Sequence, residues 1–150
     1  MDYNAIKIIP YSRVDYDFVY QVKKDCYKTY VEQNWGEWNE EKQREFFVEF
    51  IRAYANNIMV ICLNDEKIGF YHGEDLDENS YEIGNICIIK EYQGNGIGTK
   101  ILKNLIDANA DKDIYLQYFK QNPVVNLYKR LGFEMCEEKQ YHYKMVLKRK

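Results

Sequence analysis

Apolar side chains recur along this chain with two different periods, and the changes of period predict its helices and strands. From about Tyr16 they follow helical spacing as far as Tyr30, which predicts a first helix. The segment 35–38 interrupts that pattern, and Asn39 is a typical N-cap residue for a second helix. The predicted inward face of this second helix consists of Phe46, Phe47, Phe50, Ile51 and Tyr54.

Shorter apolar runs predict strands over residues 5–10, 58–63, 67–72, 81–89, 113–118, 133–138 and 141–147. The acidic stretch 73–79 is predicted to be a loop. Helical spacing returns over residues 97–109, and Pro123 and Gly132 mark the ends of a short helix at 123–130. The order β-α-α-β-β-β-α-β-α-β-β predicts an α/β fold around one sheet, with residues 1–150 as a single domain.

The composition is that of one ordered domain. The chain has 150 residues, 46% of them hydrophobic, with 15 tyrosines and 7 phenylalanines, so it can bury a substantial core. A net charge of −3 argues against nucleic acid as a partner. No apolar run approaches the roughly 18 residues of a membrane span, and the acidic N-terminus lacks a signal core. We therefore expect a cytoplasmic protein with no membrane partner.

The cysteines and histidines do not predict a metal site. Cys26, Cys62, Cys87 and Cys136 are scattered through apolar surroundings without a C-x-x-C pair, which predicts buried free thiols in a reducing compartment. The two histidines, at positions 72 and 142, are far apart in sequence. We therefore expect no metal cofactor.

The most informative segment runs from Ile86 to Gly98, where an apolar strand leads into a glycine-rich turn that opens a helix. The glycines let backbone N–H groups converge and the helix start adds partial positive charge, so the segment predicts a seat for a phosphate or pyrophosphate. The spacing G-x-G-x-G differs from the dinucleotide-binding G-x-G-x-x-G, and no acid ends the next strand. Thr99-Lys100 reverses the order of a P-loop.

The pattern Gln93-x-x-Gly96-x-Gly98 resembles the Q/R-x-x-G-x-G/A signature of the GNAT superfamily of N-acetyltransferases. A second segment, residues 122–134, is similar to the family's downstream N-P-x-x-x-L-Y-x-x-L-G-F motif. The resemblance implies a single-domain GNAT-like fold, with a mixed, mostly antiparallel sheet flanked by helices. It also implies that two central parallel strands, 81–89 and 113–118, splay apart to admit acetyl-CoA.

The resemblance implies where acetyl-CoA, the expected cosubstrate, binds. The pantetheine arm is expected along Ile86, Cys87 and Ile88, where a backbone N–H could also polarise the thioester carbonyl. The pyrophosphate is expected on the loop formed by Gln93, Gly94, Asn95, Gly96, Ile97, Gly98 and Thr99.

Three further residues are candidates for the cofactor site or the chemistry. Tyr128 matches the motif tyrosine that protonates the leaving CoA thiolate, although it could instead be a core residue on one helical face. Asn122 could hydrogen-bond the pantetheine, or it could be a helix N-cap. Glu82 is the candidate general base or a solvent-facing strand residue, with Glu74 and Asp75 as alternatives.

The resemblance places acceptor selection in the first two helices, where Trp35, Trp38 and Tyr30 could line a pocket or cover the core. The predicted function is N-acetylation of a primary amine of a small molecule, peptide or protein by direct transfer from acetyl-CoA. The alternatives are an acyltransferase that uses another acyl-CoA and a non-catalytic CoA-binding regulatory module. A homodimer is left open.

Overall fold

The structure is a computed structural model that describes residues 2–149. Its helices are α1 Tyr16–Trp35, α2 Glu40–Tyr54, α3 Ile97–Ala108 and α4 Val125–Arg130. Its strands are β1 Ile6–Pro10, β2 Ile58–Leu63, β3 Glu66–Asp77, β4 Ser80–Ile88, β5 Asp113–Phe119, β6 Glu134–Glu138 and β7 His142–Leu147. This order of helices and strands confirms the order predicted from the apolar periods.

The boundary between α1 and α2 follows from two residues. Gly36 has φ 94°, a conformation that favours glycine, and its N–H donates to the carbonyl of Glu32, so α1 ends there. The side chain of Asn39 accepts the N–H of Lys42 at 2.9 Å and caps the start of α2. The predicted N-cap is therefore confirmed.

The seven strands form one mixed sheet in the order β1-β2-β3-β4-β5-β7-β6. The β1–β2, β2–β3, β5–β7 and β6–β7 pairs are antiparallel. The β4–β5 pair is parallel, with its register running from Ser80 opposite Asp113 to Ile83 opposite Leu116. The prediction of a mostly antiparallel sheet with two central parallel strands is confirmed.

The prediction of a loop at residues 73–79 is wrong. β3 continues through this segment to Asp77, and only Glu78 and Asn79 form the turn into β4. Asp75 and Asp77 of β3 are exposed, so these side chains can be hydrated while the backbone remains in strand conformation. Asp75 also pairs with Lys112 Nζ at 2.6 Å. Acidic composition is therefore a poor guide to backbone structure here.

The short helix α4 begins later than predicted. Its first residue is Val125 and its N-cap position is occupied by Val124, so Pro123 lies outside the helix. Gly132, with φ 101°, follows the helix at the position expected of a C-terminal glycine. The N–H of Phe133 then donates to the carbonyl of Tyr128 at 3.0 Å and leads the chain into β6.

The chain packs into two compact units. The first comprises residues 2–72 and 85–101, and its core contains Val19, Tyr20, Val22, Phe47, Ile58, Phe70 and Cys87. The second comprises residues 73–84 and 102–149, with buried Ile83, Leu102, Ile114, Leu116, Phe133 and Met145. Each unit thus buries apolar side chains of its own.

The cysteines differ in exposure. Cys62 and Cys87 are buried and Cys26 is half-buried, but Cys136 is exposed, which corrects the prediction that all four are buried. The reason is that Cys136 lies on β6, whose five residues are all exposed. The four thiols are free.

Neither a metal-ligand cluster nor a membrane-spanning helix is found in the described part of the chain. Residues 2–149 contain no group of three or more histidine, cysteine or acidic side chains arranged to hold a metal ion. None of the helices described over the same range combines the length and the apolar composition that crossing a membrane requires.

Candidate active site

The glycine-rich loop between β4 and α3 presents a row of unpaired backbone donors. Gly94 and Gly96 have φ 79° and 78°, a region that side chains with a Cβ rarely adopt. Within the described chain, the backbone N–H groups of residues 94–99 donate no hydrogen bond to protein, whereas the next one, Lys100, donates to the carbonyl of Gly96 at 2.9 Å. These donors lie at the N-terminus of α3, where the helix dipole adds partial positive charge.

The same loop has room for a ligand beside Gly98. A Cβ placed on Gly98 meets no heavy atom within 4 Å, and its backbone φ lies outside the left-handed region. A Cβ on Gly96 would lie 2.5 Å from the hydroxyl oxygen of Tyr3. Gly96 is therefore required by the protein's own backbone and packing, whereas nothing in the protein requires glycine at position 98.

Side chains tie the loop to its surroundings. Gln93 donates from Nε2 to the carbonyl oxygen of Ile88 at 2.8 Å, and Tyr3 donates from its hydroxyl to the carbonyl of Asn95 at 2.6 Å. Asn95 itself donates from Nδ2 to the carbonyl of Tyr92 at 3.3 Å. The side chain of Gln93 thus positions the loop, and the donors left for an anion are backbone N–H groups.

The predicted pantetheine strand is the end of β4. Cys87 and Ile88 are buried there and Ile86 is half-buried. The carbonyl of Ile88 also accepts the thiol of Cys26 on α1 at 3.7 Å. Asn85 donates from Nδ2 to the hydroxyl of Tyr27 at 2.9 Å, so α1 lies directly against this part of β4.

Tyr128 lies on α4 in the second unit and is half-buried. Its ring packs against those of Tyr118 and Phe133, with centroids 5.5 Å and 6.0 Å away. Its hydroxyl makes no hydrogen bond to any residue in the range 2–149. Burial, followed by the neighbouring Tyr118, raises the pKa of Tyr128 to about 12. The hydroxyl is therefore a protonated donor at neutral pH, with no protein acceptor in the described chain.

Two polar residues of the second unit have unpaired side chains in the described part of the chain. Asn122 is half-buried and, because Val124 holds the N-cap position of α4, the alternative interpretation of Asn122 as the cap is wrong. Glu82 is half-buried on β4, opposite Tyr115 in the parallel register. Neither the side-chain amide of Asn122 nor the carboxylate of Glu82 has a partner within residues 2–149.

The predicted acceptor residues of the first unit separate into three environments. Trp38 lines a cavity of about 200 Å³ between α1 and α2, and its Nε1 donates to Glu40 Oε2 at 2.8 Å. Trp35 is 53% exposed and lines a neighbouring cavity of about 580 Å³. Tyr30 is half-buried and lines neither of these cavities.

Two residues of the smaller cavity, Lys23 and Lys24, were not predicted from the sequence pattern. Lys23 lies between Tyr20 and Tyr27 at helical spacing and so interrupts an apolar stripe. This interruption is the sequence feature by which Lys23 could be identified as a cavity residue. Lys24 pairs with Glu40 Oε2 at 3.0 Å. Lys24, followed by Trp38, lowers the pKa of Glu40 to about 2, so this carboxylate remains charged.

Comparison with known proteins agrees with this architecture. The sequence model of the Acetyltransferase (GNAT) family matches residues 17–133. A probable spermine N(1)-acetyltransferase of Bacillus subtilis subsp. natto is 31% identical, over 58% of this chain and 76% of that protein. An N-alpha-acetyltransferase of Sulfurisphaera tokodaii is 25% identical, over 65% and 68% of the two chains.

A solved structure has the same fold. The PaiA N-acetyltransferase of Thermoplasma acidophilum, crystallised in complex with coenzyme A, superposes with a TM-score of 0.70. The two chains are 19% identical, and the match covers 95% of this chain and 98% of that one. With the family match spanning most of the sequence, the chain belongs to the Acetyltransferase (GNAT) family and is an acyltransferase that transfers acetyl groups.

Proposed function

We propose that this enzyme transfers the acetyl group of acetyl-CoA directly to a primary amine of a small molecule or peptide. The observation that carries the proposal is the row of unpaired N–H groups of residues 94–99 at the start of α3. Such a row matches the acceptor oxygens of a pyrophosphate, and the helix dipole favours its negative charge. The similar proteins named for spermine and N-alpha acetylation support an amine acceptor.

The residues of the loop fit a CoA pyrophosphate. In this proposal the backbone of Gly94 to Thr99 holds the phosphates, and the open space beside Gly98 allows their close approach. Gln93 keeps the loop fastened to Ile88, and the backbone of residues 86–88 receives the pantetheine arm. Asn122 is proposed to hydrogen-bond that arm through its unpaired amide. When bound, acetyl-CoA supplies the acetyl group, and CoA departs as the free thiol.

The proposed roles of the side chains follow from the proton balance of the reaction. An amine attacks only through its neutral form, so one proton must leave the acceptor nitrogen before attack, and Glu82 is proposed to take it, directly or through water. A second proton leaves the nitrogen as the amide forms and balances the proton that the departing thiolate gains. Cleavage of the C–S bond leaves a thiolate, and Tyr128 is proposed to donate a proton or a hydrogen bond to its sulfur. The raised pKa of Tyr128 keeps that proton in place until negative charge develops nearby.

The test pairs ligand binding with thiol release. Acetyl-CoA should raise the thermal unfolding temperature, since ligand at ~100-fold its dissociation constant stabilises a fold by about 2.7 kcal/mol. Dephospho-CoA, which keeps the pyrophosphate, should also stabilise the protein, and adenosine should not. A panel of primary amines should then release CoA thiol in proportion to acetylated product. Stabilisation by NAD but not by acetyl-CoA would overturn the proposal. Faster turnover with a longer acyl-CoA would identify that thioester, and not acetyl-CoA, as the acyl donor.

A further inference from the structure

The side-chain amine of Lys23 has no carboxylate partner in the described part of the chain. It lies on α1 and is half-buried, and its Nζ sits 4.9 Å from the ring centroid of Tyr27 and 4.8 Å from that of Phe50. Over residues 2–149 it makes no ion pair and no hydrogen bond. Burial lowers the pKa of Lys23, since two aromatic faces replace water less well than a carboxylate would.

The cavity that Lys23 lines has aromatic walls and basic side chains. Its lining contains two lysines and no aspartate or glutamate. Lys24 is already paired with Glu40, so Lys23 is the lysine of this lining that lacks a carboxylate partner within residues 2–149. The aromatic walls are formed by Tyr20, Tyr27, Trp38, Phe46, Phe47 and Phe50. At about 200 Å³ the cavity is smaller than the roughly 300–1,000 Å³ of drug-sized ligand pockets, which favours a small molecule over a protein surface.

The helix α1, which lines this cavity, also contacts the strand on which the acetyl donor is proposed to lie. Tyr27, one turn after Lys23, accepts a hydrogen bond from Asn85 on β4 at 2.9 Å. Cys26, on the same turn, donates to the carbonyl of Ile88 at 3.7 Å. The helix that carries Lys23 therefore contacts both ends of the 85–88 segment, so a molecule held by Lys23 would be close to that strand.

We infer that the acceptor is a small amine that also bears a carboxylate and an apolar body, and that Lys23 binds the carboxylate. This inference rests on the proposed function and specifies its acceptor. A carboxylate would give Lys23 the charged partner it lacks, and the aromatic walls would pack against the apolar part of the acceptor. A polyamine would instead bring positive charge to a lining that contains two lysines and no aspartate or glutamate.

The experiment compares matched acceptors with matched variants. Acceptors are amino carboxylates with aromatic or aliphatic bodies, each paired with its carboxamide, and spermidine is the polycation. The wild-type enzyme should show a KM for a carboxylate at least about tenfold below that of its amide, the effect of one charge-assisted hydrogen bond. α-Carboxamides have the lower amine pKa, so deprotonation alone would favour the amide and cannot produce this preference.

Lys23→Met keeps the aliphatic stem and removes the charge. It should raise the KM for the carboxylate about tenfold, leave the amide KM within twofold and change kcat little. Lys23→Arg, which retains the charge, should keep the preference. Lys28→Met, at a position of the same helix outside this cavity, is the matched control and should change neither KM. Thermal unfolding of each variant, with and without the carboxylate acceptor, gives a readout that does not depend on turnover.

The outcomes separate the inference from the proposed function. Acetylation of amides or spermidine with no preference for carboxylates would overturn the inference and leave the N-acetyltransferase proposal standing. An equal rise of both KM values in Lys23→Met would make Lys23 a packing residue and would also overturn the inference. Failure of every amine to release CoA thiol, despite acetyl-CoA binding, would overturn both.

Discussion

Gln93 donates from Nε2 to the carbonyl oxygen of Ile88 at 2.8 Å, so the first residue of the glycine signature fastens the loop to the end of β4. Its side chain is therefore engaged with the protein, and its contribution to cosubstrate binding is to hold the backbone donors in place. Gln93→Leu removes this hydrogen bond and should weaken acetyl-CoA binding by about tenfold, which corresponds to about 1.4 kcal/mol and lies within the range for one hydrogen bond. Isothermal titration with acetyl-CoA measures the change.

Gln93→Arg is the matched comparison, since an arginine can still donate to the Ile88 carbonyl. Its acetyl-CoA affinity should remain within about threefold of the wild type, well under the loss of a whole hydrogen bond. If arginine and leucine weakened binding equally, the side chain at position 93 would contact the cosubstrate itself in a way that only glutamine satisfies.

Gly98 and Gly96 should respond differently to the same substitution. Gly98→Val introduces a side chain where the protein leaves open space, so the unliganded fold should retain its unfolding temperature while acetyl-CoA binding is lost. Gly96→Val forces a branched residue into φ 78° and against the Tyr3 hydroxyl, so it should destabilise the unliganded fold by about 1–3 kcal/mol. Thermal unfolding with and without acetyl-CoA measures both effects.

The contrast between the two glycines is the informative result. Normal acetyl-CoA stabilisation of a folded Gly98→Val variant would mean that phosphate does not approach position 98. Gly94→Ala, with φ 79° but no Cβ contact within 4 Å, is the control for backbone strain without a steric clash.

How far the sequence predicts this enzyme depends on whether local or long-range interactions determine each feature. Asn39 and Gly36 fix the α1–α2 boundary through their own capping geometry, so the boundary could be predicted from the chain alone. Residues 73–77 form a strand because they pair within the sheet, whereas their acidic composition predicts a loop. The position of Lys23 within an apolar helical stripe marks it as unusual, but only folding places it between the rings of Tyr27 and Phe50.

His72 should make stability depend on pH. It is only 8% exposed, its Nδ1 accepts the N–H of Asn85 at 3.2 Å, and burial followed by nearby Lys23 lowers its pKa to about 4. In the unfolded chain the histidine pKa is near 6.5. Between about pH 4 and 6.5, His72 is therefore protonated in the unfolded chain but neutral in the folded protein. Stability should therefore fall as pH drops from about 6.5 towards 4, by on the order of 2 kcal/mol between pH 7 and 5.

Urea unfolding at pH 7 and pH 5 measures this loss in the wild type and in His72→Gln, which should lose less stability on acidification. His142→Gln is the control: burial also lowers the pKa of His142, but this ring is more exposed, so a smaller part of the pH dependence should disappear. An NMR titration that gave His72 a pKa near 6.5 would contradict the prediction even if the variant were too unstable to compare.

Glu82→Gln should lower activity near neutral pH by about 10²-fold, the lower range for loss of a general base. Activity should partly recover at high pH, where the acceptor amine is already neutral. Glu74→Gln, on the neighbouring strand β3, is the matched control and should leave the pH–rate profile unchanged. If the pH–rate profile were normal for Glu82→Gln and altered for Glu74→Gln, the general base would be Glu74 and not Glu82.

Tyr128→Phe tests the proposed donor to the leaving sulfur. The ring packing with Tyr118 and Phe133 is retained, and the lost hydroxyl has no protein partner in the described chain, so stability should stay within about 1 kcal/mol. Acetyl-CoA affinity should stay within a few-fold, while turnover should fall by ~10²-fold, the lower end for loss of a general acid. Single-turnover kinetics and acetyl-CoA titration on the same preparation measure the two effects.

Two further comparisons test the role of Tyr128: a variant of the neighbouring Tyr118 and an acetyl thioester with a different leaving thiol. Tyr118→Phe removes a buried, unpaired hydroxyl from the ring 5.5 Å away and should leave turnover nearly unchanged. A more acidic thiol leaves with less help from a proton donor. Turnover of an acetyl thioester with such a thiol should therefore be less impaired by Tyr128→Phe than turnover of acetyl-CoA.

With a pKa of about 12, Tyr128 should add no inflection to the wild-type pH–rate profile between about pH 6 and 9. Equal losses of turnover and acetyl-CoA affinity would make Tyr128 a binding residue, and full turnover would make it part of the core.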